Sequence, residues 1–374
     1  MPKKVVFLRA KPIAPEPRVE KAAETLAQVG YTVTALGWDR EGNHPHEEKR
    51  NGYTVHHIGP RGLHGGGIYN LLPMVLWQKD LFLWLWRKRH QYTHIHATDL
   101  DTILPALLIK LLLGKRVVYD IFDVFAFSRD LPDWMKALAH RLELWAIGKA
   151  DAVILPDPSR REQILGARPK RLEVIINTPK LTNITLDMGH EGYESTHFRI
   201  AFVGFLDGRR WLKEMLNLVA KHPGWSFDLA GFGPLAEELR EQASRLPNVR
   251  FHGRVSYTKA LEIEAKAHVL FALYDPSLPN HRYSSPNKLF EAMALGKPIL
   301  VARGTGMDTL VEEEELGYVV DYVSPSDVEK ALEEIASWGP EKRKAFAQRT
   351  QSLFKERYSW EEMARRLLKL YGEV

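Results

Sequence analysis

Cysteine is absent from all 374 residues. That excludes disulfides, thiolate nucleophiles and cysteine-ligated metal centres, and it fits a cytoplasmic protein. Long apolar runs are missing too. No stretch reaches the roughly 18 uninterrupted apolar residues of a membrane-spanning helix. The nearest, Leu71 to Trp86, is broken by Pro73 and by Gln78-Lys79-Asp80. The opening Met1-Pro2-Lys3-Lys4-Val5-Val6-Phe7-Leu8-Arg9 has too short an apolar run for a signal peptide. Charge of one sign is not in excess: 52 basic against 47 acidic residues leave +5. This balance gives no argument for nucleic acid, although it suits an anionic ligand or membrane surface. No Gly-x-Gly-x-x-Gly follows the first apolar run, which speaks against a dinucleotide-dependent dehydrogenase. Short-period repeats and low-complexity tracts are also absent.

What the chain has is a repeated alternation of short apolar runs and helical patterns, the signature of parallel sheets covered on both faces. Val5–Leu8, Tyr31–Leu36, Thr93–Ala97, Arg116–Asp120, Ala152–Leu155 and Leu172–Asn177 read as strands, and Ile103–Leu113 reads as a helix stopped by Gly114. A second series runs through Arg199–Gly204, Trp225–Gly231, Val249–Gly253, Val269–Asp275, Pro298–Ala302 and Tyr318–Asp321. The spacing predicts an α/β protein of two Rossmann-like domains facing across a cleft, with ligands at the carboxyl ends of the strands. The expected boundaries are residues 1–180 for an N-terminal domain, 181–197 for a linker, 198–355 for a C-terminal domain, and 356–374 for a terminal helix.

The richest segment is Ser284-Ser285-Pro286-Asn287-Lys288-Leu289-Phe290-Glu291-Ala292-Met293-Ala294-Leu295-Gly296-Lys297-Pro298. Ser285 is expected as an N-cap and Pro286 as the first helical residue. Lys288 then sits in the first turn, where the helix dipole disfavours a cation unless an anion binds there. Asn287, Lys288 and Glu291 share one arc and Leu289, Phe290 and Met293 the opposite one. The plain alternative is an exposed Lys288–Glu291 pair at i,i+3. A second segment, Phe202-Val203-Gly204-Phe205-Leu206-Asp207-Gly208-Arg209-Arg210-Trp211, again sets cations where a helix begins. Their plain alternative is surface solubility. A diphosphate would account for both anomalies.

The Pro286–Pro298 wording resembles the donor-binding motif of retaining, nucleotide-sugar-dependent glycosyltransferases of family 4, which have the GT-B architecture. The resemblance is strongest from Phe198 to Asp321, and it implies that residues 1–180 are the acceptor-side domain, that residues 198–355 bind the nucleotide-sugar, and that the terminal helix 356–374 returns to the N-terminal domain. It implies sugar transfer with retention from a nucleotide-diphosphate donor to an acceptor hydroxyl, a glycan or lipid-linked molecule, and it implies no metal and no other cofactor. Arg210 carries over as the second cation of the family's turn, because Phe205 stands where the Gly-Arg would begin. Gly204 and Arg209 lie in the same turn. Gly231-Phe232-Gly233-Pro234 resembles the family's Gly-x-Gly-Pro turn, and Arg254-Val255 resembles the segment bordering the nucleobase. Glu291 matches the second of two glutamates with seven residues between them and implies ribose contacts. The first glutamate is replaced by Tyr283, so Tyr283, Ser284 and Ser285 are expected against the donor sugar. Asn287 and Leu289 complete the donor set. The implied catalytic residues are Arg210, Lys288, Asp120 and Asp123.

In the N-terminal half, Tyr119-Asp120-Ile121-Phe122-Asp123 resembles the family's Tyr-Asp-x-His-Glu segment, with Phe122 in the histidine's place. Asp120 and Asp123 remain as strand-end carboxylates, with turn formation and helix capping as their plain alternative. Asp99-Leu100-Asp101 invites a metal reading, yet the pair suits capping of a helix near Thr102 and lacks further oxygen ligands, so no metal site is expected. Arg18 resembles part of the family's Pro-Arg-Val loop. With Asp99 it is expected on the acceptor side, unless it pairs with Glu20 or another local carboxylate. Ile68–His90 holds Trp77, Trp84 and Trp86 before Arg87-Lys88-Arg89, which suits peripheral contact at the inner face of a membrane. Ordinary core packing is its alternative. Two rival functions fit the same scaffold, a nucleotide-sugar epimerase or hydrolase and a non-catalytic nucleotide-sugar-binding protein.

Overall fold

The computed structural model describes residues 3–14, 16–62, 71–128, 131–181, 197–279 and 281–374. It divides into two compact units, one of residues 1–176 with 363–374 and one of 177–362. Most of the expected linker, residues 182–196, lies outside the described residues, as do Pro15 and Ile68 to Asn70.

The first unit runs β1 (Lys4–Arg9), α1 (Pro17–Gln28), β2 (Thr32–Trp38), β3 (Glu47–Arg50), β4 (Tyr53–Ile58), α2 (Leu71–Arg87), β5 (His94–Thr98), α3 (Leu100–Leu113), β6 (Arg116–Asp120), α4 (Phe125–Ser128), α5 (Asp133–Lys149), β7 (Ala152–Leu155) and β8 (Leu172–Val174). Its sheet has the order β3-β4-β2-β1-β5-β6-β7-β8. Only β3 is antiparallel, in a hairpin with β4. Strand β7 is buried along its whole length and β1 at every residue after Lys4, as strands covered on both faces must be, so they read as continuous apolar runs rather than alternating ones. The hairpin was absent from the sequence expectation. Glu47-Glu48-Lys49-Arg50 is entirely charged, which suits a sheet edge and conceals the strand from a hydrophobicity reading.

The second unit runs β9 (Phe198–Phe205), α6 (Leu212–Val219), β10 (Trp225–Phe232), α7 (Ala236–Ser244), β11 (Val249–Gly253), α8 (Tyr257–Lys266), β12 (Val269–Ala272), α9 (Asn287–Leu295), β13 (Ile299–Ala302), α10 (Met307–Glu313), β14 (Gly317–Val320), α11 (Pro325–Ala336) and α12 (Pro340–Leu353). All its strands are parallel, in the order β11-β10-β9-β12-β13-β14. That order reverses between β9 and β12, so the crevice outside their carboxyl ends is the natural ligand position. A final helix, α13 (Trp360–Glu373), belongs to the first unit from Met363 onward. Lys3 Nζ donates to the carbonyl of Tyr371 at 2.6 Å, and the backbone N–H of Ile176 meets the sulfur of Met363 at 3.1 Å.

Candidate functional site

At the switch point of the second unit, the loops after β9 and β12 are tied by the backbone N–H of Asp275, which donates to the carbonyl of Arg209 at 3.1 Å. Helix α9 enters this edge. It begins one residue later than expected: Pro286 takes the cap position and no side chain caps the helix. A proline fixes φ without supplying a side-chain acceptor, so the helix start is covered only by backbone: the Leu289 N–H donates to the Pro286 carbonyl at 3.1 Å. Among the described residues, Ser285 Oγ and Asn287 Oδ1 are buried without a hydrogen-bond partner. Buried polar atoms are rarely left so, and these two remain available to groups brought to this helix end.

Lys288 is buried, which removes the exposed i,i+3 alternative. Its ammonium donates to the carbonyl of Val203 on β9, lies 3.4 Å from Glu264 Oε1 of α8, and sits 4.3 Å from the ring centre of Phe202. Glu264 Oε2 has no partner among the described residues. Burial first, and then the neighbouring Glu291, push the Glu264 carboxyl up to about 8 against the pull of Lys288. A carboxyl that holds a proton at neutral pH leaves the ammonium uncompensated. Glu291 is also buried and accepts from the Tyr257 hydroxyl at 3.0 Å.

Arg210 is half-buried, its guanidinium carbon 4.2 Å from the ring centre of Tyr274, while Arg209 is exposed. Gly231 and Gly233 have φ of +145° and +149°. A Cβ at Gly231 would lie 1.8 Å from the carbonyl oxygen of Gly204, and one at Gly233 would lie 2.5 Å from that of Leu206. These glycines let the ends of β9 and β10 close on each other, so backbone packing alone demands them. Arg254 stacks 4.7 Å from the ring centre of Phe232, which meets Phe205 edge-on at 5.8 Å. Both phenylalanines are exposed, and the sequence reading passed over Phe232. Val255 and Tyr283 to Ser285 are half-buried around the same edge, whereas Leu289 faces the core.

In the first unit, the strand ends gather a buried ionic network. Arg18 is 4% exposed and reaches past Glu20 to grip Asp120 in bidentate fashion, at 2.7 and 3.1 Å. Burial alone would raise the Asp120 carboxyl, but Arg18 and His96 hold it below the ordinary value. A carboxylate can only accept, so His96 Nε2 donates to Asp120 Oδ2 at 3.3 Å, and His96 Nδ1 meets the Tyr371 hydroxyl at 2.8 Å. Asp99 is not the helix cap expected of it. It has φ of 57° and makes no capping bond. Its carboxylate accepts from the N–H groups of Phe122 at 2.8 Å and Asp123 at 3.3 Å and pairs with Arg9. Phe122 lies 4.2 Å from the Arg9 guanidinium and 5.0 Å from that of Arg18, held by two cations. Asp123 pairs with Arg160 at 2.8 Å.

Arg9, His96, Tyr371 and Glu264 escaped the sequence reading. Arg9 also pairs with Glu16 seven residues on, but its bond to Asp99 and the bonds of the other three to their partners span 24 residues or more, a coupling that spacing along one chain does not carry. On α2, Trp77 is buried and stacks on Trp38 at 5.3 Å, and Trp84 is half-buried, so of the expected aromatic row only Trp86 is exposed. No described helix is long and apolar enough to cross a membrane.

Residues 14–178 match the family model described as a glycosyl transferase 4-like domain, and residues 197–337 match that of glycosyl transferases group 1. No curated protein sequence matches this chain significantly. Among solved structures, sucrose-phosphate synthase from Thermosynechococcus elongatus superposes with a TM-score of 0.77 at 16% identity, covering 99% of this chain and 98% of that one. Anabaena Alr3699/HepE in complex with UDP gives 0.72 at 14% identity, covering 99% and 100%. The lipopolysaccharide outer core galactosyltransferase WaaB, in apo form, gives 0.68 at 15% identity, covering 99% and 100%.

Proposed function

Since this chain is a group 1 glycosyltransferase with the GT-B fold of two Rossmann-like domains, we propose that it moves a sugar from a nucleotide-diphosphate donor to an acceptor hydroxyl with retention of configuration. One observation carries the donor half of this reading. The N-terminus of α9 lacks a side-chain cap, holds Lys288 in its first turn and leaves Ser285 Oγ and Asn287 Oδ1 unsatisfied. A diphosphate supplies negative charge for the dipole and the ammonium and an acceptor for the Ser285 hydroxyl, while Asn287 Oδ1, which can only accept, takes a hydroxyl of the donor's ribose or sugar.

In this reading Lys288 and Arg210 offset the charge that develops on the departing diphosphate, a task for preorganised cations that needs no metal ion. Glu291 binds ribose hydroxyls. Arg254 and the Phe205–Phe232 pair offer the nucleobase a stacking surface. Tyr283 and Ser284 face the donor sugar. Asp120 already serves Arg18 and His96, so it positions Arg18 rather than acting as a free base. Arg18, Asp99 and Asp123 stand on the acceptor side. Attack from the leaving-group face, with the leaving phosphate taking the proton, follows from the family resemblance. Anabaena HepE is seen with UDP and with UDP-glucose, which supports a nucleotide-sugar donor of that kind. WaaB is a lipopolysaccharide galactosyltransferase, which supports a glycan or lipid-linked acceptor.

A thermal-shift panel of UDP, GDP and ADP tests the donor site, because a ligand at about 100 times its Kd stabilises by about 2.7 kcal/mol. Lys288→Ala and Arg210→Ala should each weaken nucleoside-diphosphate binding roughly tenfold or more, the usual loss for a charged hydrogen bond. Undiminished affinity in both variants would sink the assignment. Labelled donor with an acceptor panel then separates transfer from epimerisation or hydrolysis.

A further inference from the structure

Two neighbouring helices of the first unit are apolar on both faces. Helix α3 turns Ile103, Ala106 and Ile109 into the core. Its opposite side presents Leu108, Leu111 and Leu112 to solvent, with Leu111 81% exposed. Helix α5 buries Ala146 and Ile147 and leaves Trp134, Leu138 and Trp145 outside, at 69%, 62% and 50% exposure. At about 100° per residue, Trp134, Leu138, Arg141 and Trp145 fall on one arc, a straight ridge along the helix. Helix α3 packs between α2 and α5, and α2 adds exposed Leu72, Val75 and Trp86 to the same side of the sheet. Helices apolar all round are ordinarily covered, and a contiguous exposed patch marks an interaction surface.

The surrounding charge selects the occupant. Arg141 lies within the ridge itself, and Lys149, Arg87 and Lys88 are exposed beside it. Lys136 is half-buried on α5, Lys110 is paired with Asp151 at 2.6 Å, and the acids on these helices that are not buried are Asp80 and Asp133. A second copy of the chain would bring two such basic rims together. A bilayer rich in anionic lipid complements them, and tryptophan beside arginine or lysine is the composition of a membrane–water interface.

We infer that α3 and α5 form a docking face for an anionic bilayer. Trp134, Leu138, Trp145 and Leu111 enter the upper acyl region, and Arg141 and Lys149 meet lipid phosphates. This goes beyond the transferase reading and does not depend on the donor site.

The test is flotation of the full chain with vesicles of phosphatidylcholine containing phosphatidylglycerol, against phosphatidylcholine alone, at low and physiological salt. The wild type should float with the anionic vesicles, more strongly at low salt. The variant W134Q/L138Q/W145Q should lose about tenfold or more of its vesicle affinity, following the buried apolar area. The variant R141E/K149E should lose at least roughly fivefold for each reversed charge. Nucleotide-induced thermal shifts should remain those of the wild type in both, which shows that the variants fold and separates this face from the donor site. Three outcomes overturn the inference. The wild type stays with the unbound fraction, or the glutamine variant floats like the wild type. Alternatively, sedimentation shows a dimer that the glutamine variant dissolves while neither protein floats, which gives the face to a second copy.

Discussion

The substitution Glu264→Gln probes the donor site through its buried acid. Glu264 is 1% exposed, its Oε1 lies 3.4 Å from Lys288 Nζ, and its Oε2 has no partner among the described residues. Its carboxyl is raised from the ordinary 4.5 to about 8, by burial first and by Glu291 second. The folded protein therefore holds a proton that the unfolded chain releases near 4.5. Stability from this group is complete below about 4.5 and is lost progressively as pH rises through about 8. At roughly 1.4 kcal/mol for each tenfold change in proton affinity, the full loss amounts to roughly 5 kcal/mol. Glu291 shares the titration, so the quantity measured belongs to the pair.

Glutamine keeps the size and cannot ionise. Urea unfolding at pH 5, 6, 7 and 8 should show the wild type losing stability relative to E264Q by several kcal/mol across that window, with the other titrating groups cancelling in the difference. Nucleoside-diphosphate affinity should follow the same pattern. The two proteins should bind alike near pH 6, and above about pH 8 the wild type should bind more weakly, because an ionised Glu264 competes with phosphate for Lys288. A difference curve that stays flat from pH 5 to 8 would falsify the view that Glu264 carries a proton in the folded protein.

Two further substitutions probe packing. In Gly231→Ala the new methyl meets the Gly204 carbonyl oxygen at 1.8 Å in a backbone with φ of +145°, so a stability loss of about 2–4 kcal/mol is expected, and a thermal midpoint within a degree of wild type would refute the close approach. Tyr371→Phe removes only the hydroxyl that completes His96 and should cost about 1–3 kcal/mol in urea unfolding; a loss below about 0.5 kcal/mol would show that the contact is not made.

The alternation of strand and helix was legible because buried parallel strands are bounded apolar runs, and Arg116–Asp120, Ala152–Leu155 and Val249–Gly253 coincide with strands of the structure. Helix α3 starts three residues before its apolar pattern and carries Pro105 inside it, past the first turn, at the cost of the N–H that would have reached the Asp101 carbonyl. The hairpin at Glu47–Ile58 was hidden by an all-charged edge strand. At the site, the cations at helix starts were visible as local anomalies in Arg209-Arg210 and Lys288. The carboxyl groups that meet the buried cations were not, since Glu264 and Lys288 belong to successive helices and Arg18 meets Asp120 from 102 residues away. Asp99 shows how local chemistry misleads: a capping residue by position, it was drawn off by the amides of Phe122 and Asp123 and by Arg9.

The first unit is discontinuous along the polypeptide. Tyr371 is fully buried within it, yet lies beyond the whole of the second unit in sequence. During synthesis the early half must therefore wait with an open seam, His96 and Asp120 unsealed, while the other half emerges and folds. Folding of the first unit is then completed out of order. A nascent chain stalled before residue 363 should expose that seam to proteases and chaperones, and a synthetic peptide of residues 360–374 supplied in trans is the natural reagent to close it.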